Sequence, residues 1–339
     1  MINPTGIEPV DRQRGRRAFM VALAGSLFAA PLAAEAQPTG KVYRIGVLGA
    51  GSESEYKSKV EAMRQGLRDL GYIDGKNVTI EYRWAEGQYE RLPGLAAALL
   101  QSKVDIIVTT GTPGSLAAKR ATKTIPIVMA AVGNPVESGI VQSISSPGGN
   151  ITGLAMFMSE LNAKRLQLLK ESIPTLTRVA VLSNRDNSGH QANVLPLMKD
   201  AAESLRITLY PVSVRGPDSL KDAVAEAKVR AEGGVVPEDA MFIVHAKQIA
   251  EFAVMQRLPT IGFREFVEVG GLAAYAVDLD DMWRRSMVLV DKIFRGAKPG
   301  DLPIQQATKF ELVINVKTAK ALGLTIPPSL LARADQVIE

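Results

Sequence analysis

Asp105-Ile106-Ile107-Val108-Thr109-Thr110-Gly111-Thr112-Pro113-Gly114-Ser115 passes within eleven residues from an apolar, branched run through a glycine-broken turn into an alanine-rich segment. The run Asp105 to Val108 predicts a short buried strand, and Pro113 to Ala121 predicts a helix. Thr112 is suited to cap that helix, and Pro113 to its first position, where the N–H it lacks would have no partner. Gly114 and Ser115 then offer backbone N–H groups at the positive end of the helix, where a carboxylate or phosphate can be held. The same residues also make an ordinary, well-capped strand-to-helix turn. Its position at the carboxyl end of a strand favours the ligand-holding role.

The pattern extends in both directions. Upstream, Val42 to Leu48 predicts a strand, and Glu55 to Leu70 predicts a helix on which Val60, Met63, Leu67 and Leu70 recur at helical spacing. Gly71 ends that helix, Val78 to Tyr82 alternates as a strand, and a helix follows near Tyr89 to Gln101. Downstream lies a strand at Ile125 to Met129. A parallel crossover needs a helix-length connection, so this alternation implies a parallel sheet covered on both faces. After Gly148-Gly149-Asn150 the pattern restarts. Helices are predicted at Ser159 to Glu171, Gln191 to Leu205, Ser219 to Arg230 and Lys247 to Gln256, and strands at Arg178 to Leu182, Ile207 to Val212 and Ala240 to Val244. The chain therefore reads as two doubly wound α/β units joined near residue 150, with a ligand cleft between them.

The 339 residues include no cysteine, so neither a disulfide nor a thiolate metal site is available, nor an acceptor for a lipid anchor. Arg14, Arg16 and Arg17 precede the uncharged stretch Ala18 to Ala34, which ends in Ala34-Glu35-Ala36. That is the layout of a cleaved export signal, with Arg16-Arg17 similar to a twin-arginine type. Cleavage after Ala36 leaves a soluble protein with no membrane span and a net charge of +4. Its charges are interspersed, which argues against a nucleic-acid partner.

Catalytic and cofactor signatures are missing. Gly49-Ala50-Gly51 resembles the start of a dinucleotide fingerprint, but Ser54 stands where the third glycine should fall. These glycines read better as a backbone turn at the lip of the cleft. No Walker motif, zinc spacing or nucleophile elbow occurs, and His190 and His245 are far apart, so no enzyme and no cofactor are expected. His245 is predicted to end a strand. Asp278, Asp280 and Asp281 cluster at a helix start, where acids suit the dipole. Asp278, at the preceding strand end, is the candidate for a ligand amine.

Longer segments carry a family resemblance. Gly133-Asn134-Pro135-Val136-Glu137-Ser138-Gly139-Ile140, Ser146-Pro147-Gly148-Gly149-Asn150-Ile151-Thr152-Gly153-Leu154 and Gly262-Phe263-Arg264-Glu265-Phe266-Val267-Glu268-Val269-Gly270-Gly271-Leu272 resemble the substrate-binding proteins of ABC transporters that include the tryptophan-binding type. The ending from Phe310 to Leu324 does so too. The resemblance implies a type I periplasmic-binding fold in which two α/β lobes close on a ligand about a hinge. It implies an export signal over 1–36, a first lobe of 37–153 plus about 280–303, and a second of 154–279 plus about 304–339. Hinge crossings are expected near Thr152-Gly153, Asp278-Leu279 and Pro303-Ile304.

Carried over by position, the first-lobe contacts are Gly49, Ala50, Gly51, Thr110, Thr112, Pro113, Gly114, Ser115 and Asn134. Those of the second lobe are Ser183, Asn184, Tyr275 and Asp278. Thr112 and its neighbours would take a carboxylate, Asp278 an ammonium and Tyr275 the apolar body. The family usually has aspartate where Asn134 stands and glycine where Ala276 stands, so the ligand need not be an aromatic amino acid. The expected function is periplasmic capture of a small carboxylate-bearing solute by a monomer that serves an ABC permease. Presentation of the solute to a membrane sensor is the alternative, and an exported enzyme the third reading.

Overall fold

Alternating strands and helices build two sheets in the computed structural model, which describes residues 41–339; the expected export signal over 1–36 lies outside the described residues. The first sheet is assembled from β1 (Tyr43–Gly49), β2 (Val78–Trp84), β3 (Ile106–Thr110), β4 (Ile127–Val132) and β5 (Ile151–Ala155), with β11 (Gln305–Gln306) at its edge. Its order is β11-β5-β4-β3-β1-β2, and every pairing is parallel. Helices α1 (Lys57–Asp69), α2 (Leu92–Gln101) and α3 (Gly111–Ala121) form its crossovers. Ile45, Val47 and Val108 face one core, and Leu48, Ile107 and Met129 face the other, so the central strands carry apolar residues on both faces.

The second sheet has the order β13-β12-β10-β9-β8-β6-β7. It comprises β6 (Arg178–Asn184), β7 (Thr208–Val214), β8 (Gly233–Val235), β9 (Thr260–Gly262), β10 (Ala273–Val277), β12 (Phe310–Asn315) and β13 (Gln336–Ile338). Only the β10–β12 pairing is antiparallel, because the chain returns from the first sheet there without a crossover helix. The helices of this lobe are α4 (Met158–Ser172), α5 (Ser188–Ser204), α6 (Leu220–Arg230), α7 (Ala240–Val244), α8 (Ala246–Met255) and α9 (Arg264–Glu268). After β10 the chain enters α10 (Leu279–Phe294), which packs on α1 of the first lobe, while α11 (Val316–Ala321) and α12 (Pro328–Leu331) follow in the C-terminal stretch. Gly66 permits the α1–α10 crossing, since a Cβ there would lie 2.5 Å from the Arg284 carbonyl oxygen.

The chain passes between the sheets three times. The first passage follows Ala155, because β5 pairs in the first sheet along its whole length and Thr152 donates from Oγ1 to the Leu302 carbonyl at 2.7 Å. Thr152 and Gly153 thus sit inside a strand, a few residues before the passage itself. The second falls at Asp278. The third follows Ala307, whose N–H still bonds Ala155, and the Asp278 N–H bonds the Lys309 carbonyl, tying the second and third passages together. Gly153 has φ 151°, and a Cβ there would stand 2.3 Å from the Met129 carbonyl oxygen on β4.

One predicted strand is a helix. Ala240 to Val244 forms α7 because the Asp239 carboxylate accepts the N–H groups of Met241 and Phe242, which is helix-capping geometry. The strand of this region is the preceding Gly233–Val235. His245 therefore joins two helices instead of ending a strand, with Nδ1 3.0 Å from Gln248 Oε1.

Candidate functional site

Carboxyl ends of strands from both sheets converge on a cavity of about 90 Å³. At about 10–15 Å³ per enclosed water, that is room for several solvent molecules. The first lobe contributes Ala50 after β1, Thr110 to Pro113 after β3, and Asn134 after β4. The second contributes Glu238 and Asp239 after β8, Glu265 after β9, and Asn187 beyond β6. Met156, Met158 and Tyr56 are among its apolar lining.

The start of α3 differs from its predicted capping. The helix begins at Gly111, φ 70°, with Thr110 at the cap position and no side-chain cap bond, so Thr112 lies in the first turn. Ser115 Oγ donates to the Gly111 carbonyl and lies 2.9 Å from Thr109 Oγ, which fastens the turn to its strand. Asn134 is buried, and its Oδ1 accepts the Met158 N–H at 3.0 Å, tying the β4 loop to the first turn of α4.

Tyr56 lies in an aromatic stack. Its ring is 5.1 Å from that of Trp84 at an interplanar angle of 6°, and 5.6 Å from that of Trp283. Burial pushes its phenol well above the usual range, so it remains a neutral hydrogen-bonding group. Gly49 is underneath: a Cβ there would be 2.2 Å from the Trp84 indole, and one at Gly51 would be 2.8 Å from both Tyr56 and Glu55. These two glycines make space for the wall, and Ala50 between them reaches the cavity.

Besides the Asn134–Met158 bond, two side-chain pairs at the cavity bridge the lobes. Tyr89 donates from its hydroxyl to Asp239 Oδ2 at 2.8 Å, and Lys59 forms an ion pair with Glu265. Asp239 also accepts from Asn184 Nδ2 at 3.0 Å and Asn187 Nδ2 at 2.8 Å. Behind Glu238 lies Arg165, fully buried, with Nη1 donating to Glu238 Oε2 at 2.7 Å and Nη2 to Oε1. Arg165 Nε donates to the Tyr275 carbonyl at 2.9 Å, and Nη1 also donates to Asn162 Oδ1 at 3.0 Å. Burial raises the Glu55 carboxyl above its ordinary value, with the Ser52 N–H opposing the rise.

Of the residues singled out from sequence, Ala50, Thr110, Thr112, Pro113 and Asn134 line the cavity. Gly49, Gly51, Gly114 and Ser115 support it from behind, and Asn184 reaches it through Asp239. Ser183 is buried at the end of β6, and Tyr275 stacks on Phe310 at 5.9 Å, away from the cavity. Asp278 caps α10, accepting the Asp281 N–H at 2.9 Å, and lines an open acidic groove outside the cavity. Lys59, Glu238 and Glu265 border both spaces. Sequence reasoning did not single out Tyr56, Lys59, Tyr89, Glu238, Asp239 or Glu265. The available signal was the position of Glu238-Asp239 just beyond an apolar strand.

The Asp278 cap makes a measurable prediction. Asp278→Ala is expected to cost about 1 kcal/mol and about 2–4 °C in a circular-dichroism melt. Asp278→Asn, an equally good cap, should retain most of that stability. A melt in which both variants fall equally would assign the effect to lost charge.

Among the described residues no group of three or more His, Asp or Glu is arranged to hold a metal ion, and no helix is long and apolar enough to cross a membrane. The sequence profile of the family described as ABC transporter substrate binding protein matches residues 44–338. A tyrosine-binding protein of Clostridioides difficile is 29% identical over 259 residues, covering 76% of this chain and 74% of that protein. A domain from Streptococcus pneumonia solved in complex with L-Trp superposes with a TM-score of 0.81 at 28% identity, over 87% of this chain and 99% of its own. A conserved domain protein of Vibrio cholerae gives a TM-score of 0.82 at 27% identity, over 88% of this chain and 100% of its own. The architecture of two mainly parallel α/β sheets is that of the type I periplasmic-binding proteins.

Proposed function

The chain belongs to the family of ABC transporter substrate-binding proteins, and from that membership we propose that it captures a small carboxylate-bearing solute, foremost an amino acid, and delivers it to an ABC permease. Family and fold are those of substrate-binding proteins, not of enzymes. The observation that carries the proposal is the cavity enclosed between the carboxyl ends of two sheets, with the amino end of α3 on one side and Glu238 on the other. The tyrosine-binding and L-Trp-bound relatives support an amino acid as the solute.

In this reading the solute carboxylate meets Thr112 and the first N–H groups of α3, where the helix dipole favours negative charge. Its apolar body meets Tyr56, Met156 and Met158. The three passages between the sheets act as the hinge, so that the first lobe (from 42 to the first passage, plus α10 to β11) closes on the remainder. Tyr89–Asp239 and Lys59–Glu265 then form as the lobes meet. Delivery to a permease places the mature chain in the periplasm, after removal of residues 1–36.

Thermal-shift titration of the mature chain, refolded to remove copurified solute, tests the proposal. A solute at a hundred times its Kd adds about 2.7 kcal/mol of stability. At least one amino acid or simple carboxylate is expected to raise the melting midpoint by about 5 °C or more. Silence across amino acids, aromatic carboxylates and aliphatic carboxylates would sink it.

A further inference from the structure

The first passage between the sheets turns on a single residue. β5 ends at Ala155, α4 begins at Met158, and Phe157 between them has φ 53° and ψ 69°, in the left-handed region. For a bulky side chain that conformation is an outlier. Lys103, Arg206 and Arg257, also at positive φ, each sit just past the end of a helix (α2, α5 and α8), where a left-handed residue is a common terminator. Glu86 lies in the turn after β2. Phe157 stands instead at the amino end of a helix, where extended backbone is the rule. The second and third passages contain no residue with positive φ.

Bonds on either side hold Phe157 there. The Met156 N–H donates to the Val132 carbonyl at 2.8 Å, which extends the pairing of β5 with β4 in the first lobe. The Met158 N–H donates to Asn134 Oδ1 of the first lobe at 3.0 Å, although Met158 opens α4, whose later residues Leu166, Leu168 and Leu169 belong to the second-lobe core. The Phe157 ring packs against the first-lobe core that includes Leu48, Ile107 and Ala118. The change of direction between the lobes therefore falls on Phe157. Of its two flanking bonds, the one at Met158 crosses from lobe to lobe. Withdrawal of α4 with the second lobe breaks that bond and lets φ return below zero.

We propose that Phe157 is a backbone spring: closing of the lobes drives it into the left-handed region and opening relaxes it, so that the solute-free chain is biased towards the open form. The proposal rests on the reading of the three passages as a hinge. Relative to glycine, a residue with a side chain is disfavoured in that region by a factor of about 5–30. That factor opposes closure. Contacts of a solute with both lobes overcome it, and the same factor assists release.

The chain has no cysteine, so spin labels can be confined to Lys57→Cys on α1 and Val269→Cys just beyond α9, exposed positions on the two lobes. Double electron–electron resonance of the refolded, solute-free mature chain then reads lobe separation as a distribution of distances. Phe157→Gly and Phe157→Ala both remove the ring and differ only in the Cβ, which is what disfavours the left-handed region. The closed-to-open ratio is expected to be about fivefold or more higher in Phe157→Gly than in Phe157→Ala. Phe157→Asn should fall between them, since asparagine tolerates the region better than alanine. Each variant is required to show a native far-ultraviolet spectrum, and one comparison remains if a single variant fails to fold. Two distances in equal ratio across the folded variants, or a ratio higher in alanine than in glycine, would overturn the spring and leave the hinge reading intact. A single distance in every chain would overturn both.

Discussion

Gly153→Ala is expected to lower stability by about 3 kcal/mol or more, and the melting midpoint by about 6–12 °C, without any change in the cavity lining. The cause is steric. A Cβ at position 153 would stand 2.3 Å from the Met129 carbonyl oxygen and 2.6 Å from the Met129 backbone nitrogen, in the strand paired directly with β5. Neither atom can yield without separating β4 from β5 within the first sheet. The φ of 151° adds backbone strain for any residue with a side chain. A glycine needed only as a hinge would give another result, with altered closing rates and an unaltered melt. Differential scanning calorimetry of the solute-free variant separates the two, and an unchanged midpoint would dismiss the packing explanation.

Arg165→Met carries the second large effect, a loss of about 3–5 kcal/mol. The substitution leaves the Glu238 carboxylate with its side chain 8% exposed and without the guanidinium that grips both of its oxygens. It also strips the Tyr275 carbonyl and Asn162 Oδ1 of a donor. Adding Glu238→Gln to Arg165→Met is expected to restore more than half of the loss, because the uncompensated charge is then gone. Urea unfolding of the two variants makes the comparison. Equal stabilities would mean that the cost lies in lost packing and carbonyl contacts instead of in charge.

How far the fold was legible depended on how local its signals are. Strands such as Ile106–Thr110 sit between glycine or helix-periodic segments and were readable to within a few residues. Gly233–Val235 was not, because two glycines in three residues carry almost no strand signal. The neighbouring Ala240–Val244 is uniformly apolar, and periodicity cannot tell a strand from a short helix over five such residues. What decides it is the Asp239 cap, a side-chain bond. The return of α10 to the first lobe had no local signature and came only from the family resemblance.

The site divides in the same way. The turn into α3 announces itself through Gly111 and Pro113, whose backbone constraints are visible in one dimension. The opposite wall is made by distant pairs: Arg165 lies 73 residues from Glu238, Tyr89 lies 150 from Asp239, and Lys59 lies 206 from Glu265. Each side chain is unremarkable in its own neighbourhood. Asp278 is ambiguous for the converse reason, since its local setting fits both a ligand contact and a helix cap; in the structure its Oδ1 accepts the Asp281 N–H as a cap.

The ring stack behind the cavity gives the protein a built-in optical probe. Its only two tryptophans, Trp84 and Trp283, both lie against Tyr56, which lines the cavity, and Tyr82 extends the stack from Trp84 at 5.9 Å. Excitation absorbed by either tyrosine can therefore pass to an adjacent indole, so the indole emission of the chain originates from rings packed against one wall of the cavity. Trp283 is fully buried, and its indole nitrogen has no hydrogen-bond partner among the described residues, which sets its emission towards the blue. A solute pressing on Tyr56 perturbs both emitters at once, so its arrival and departure can be timed by stopped-flow fluorescence of the unlabelled protein.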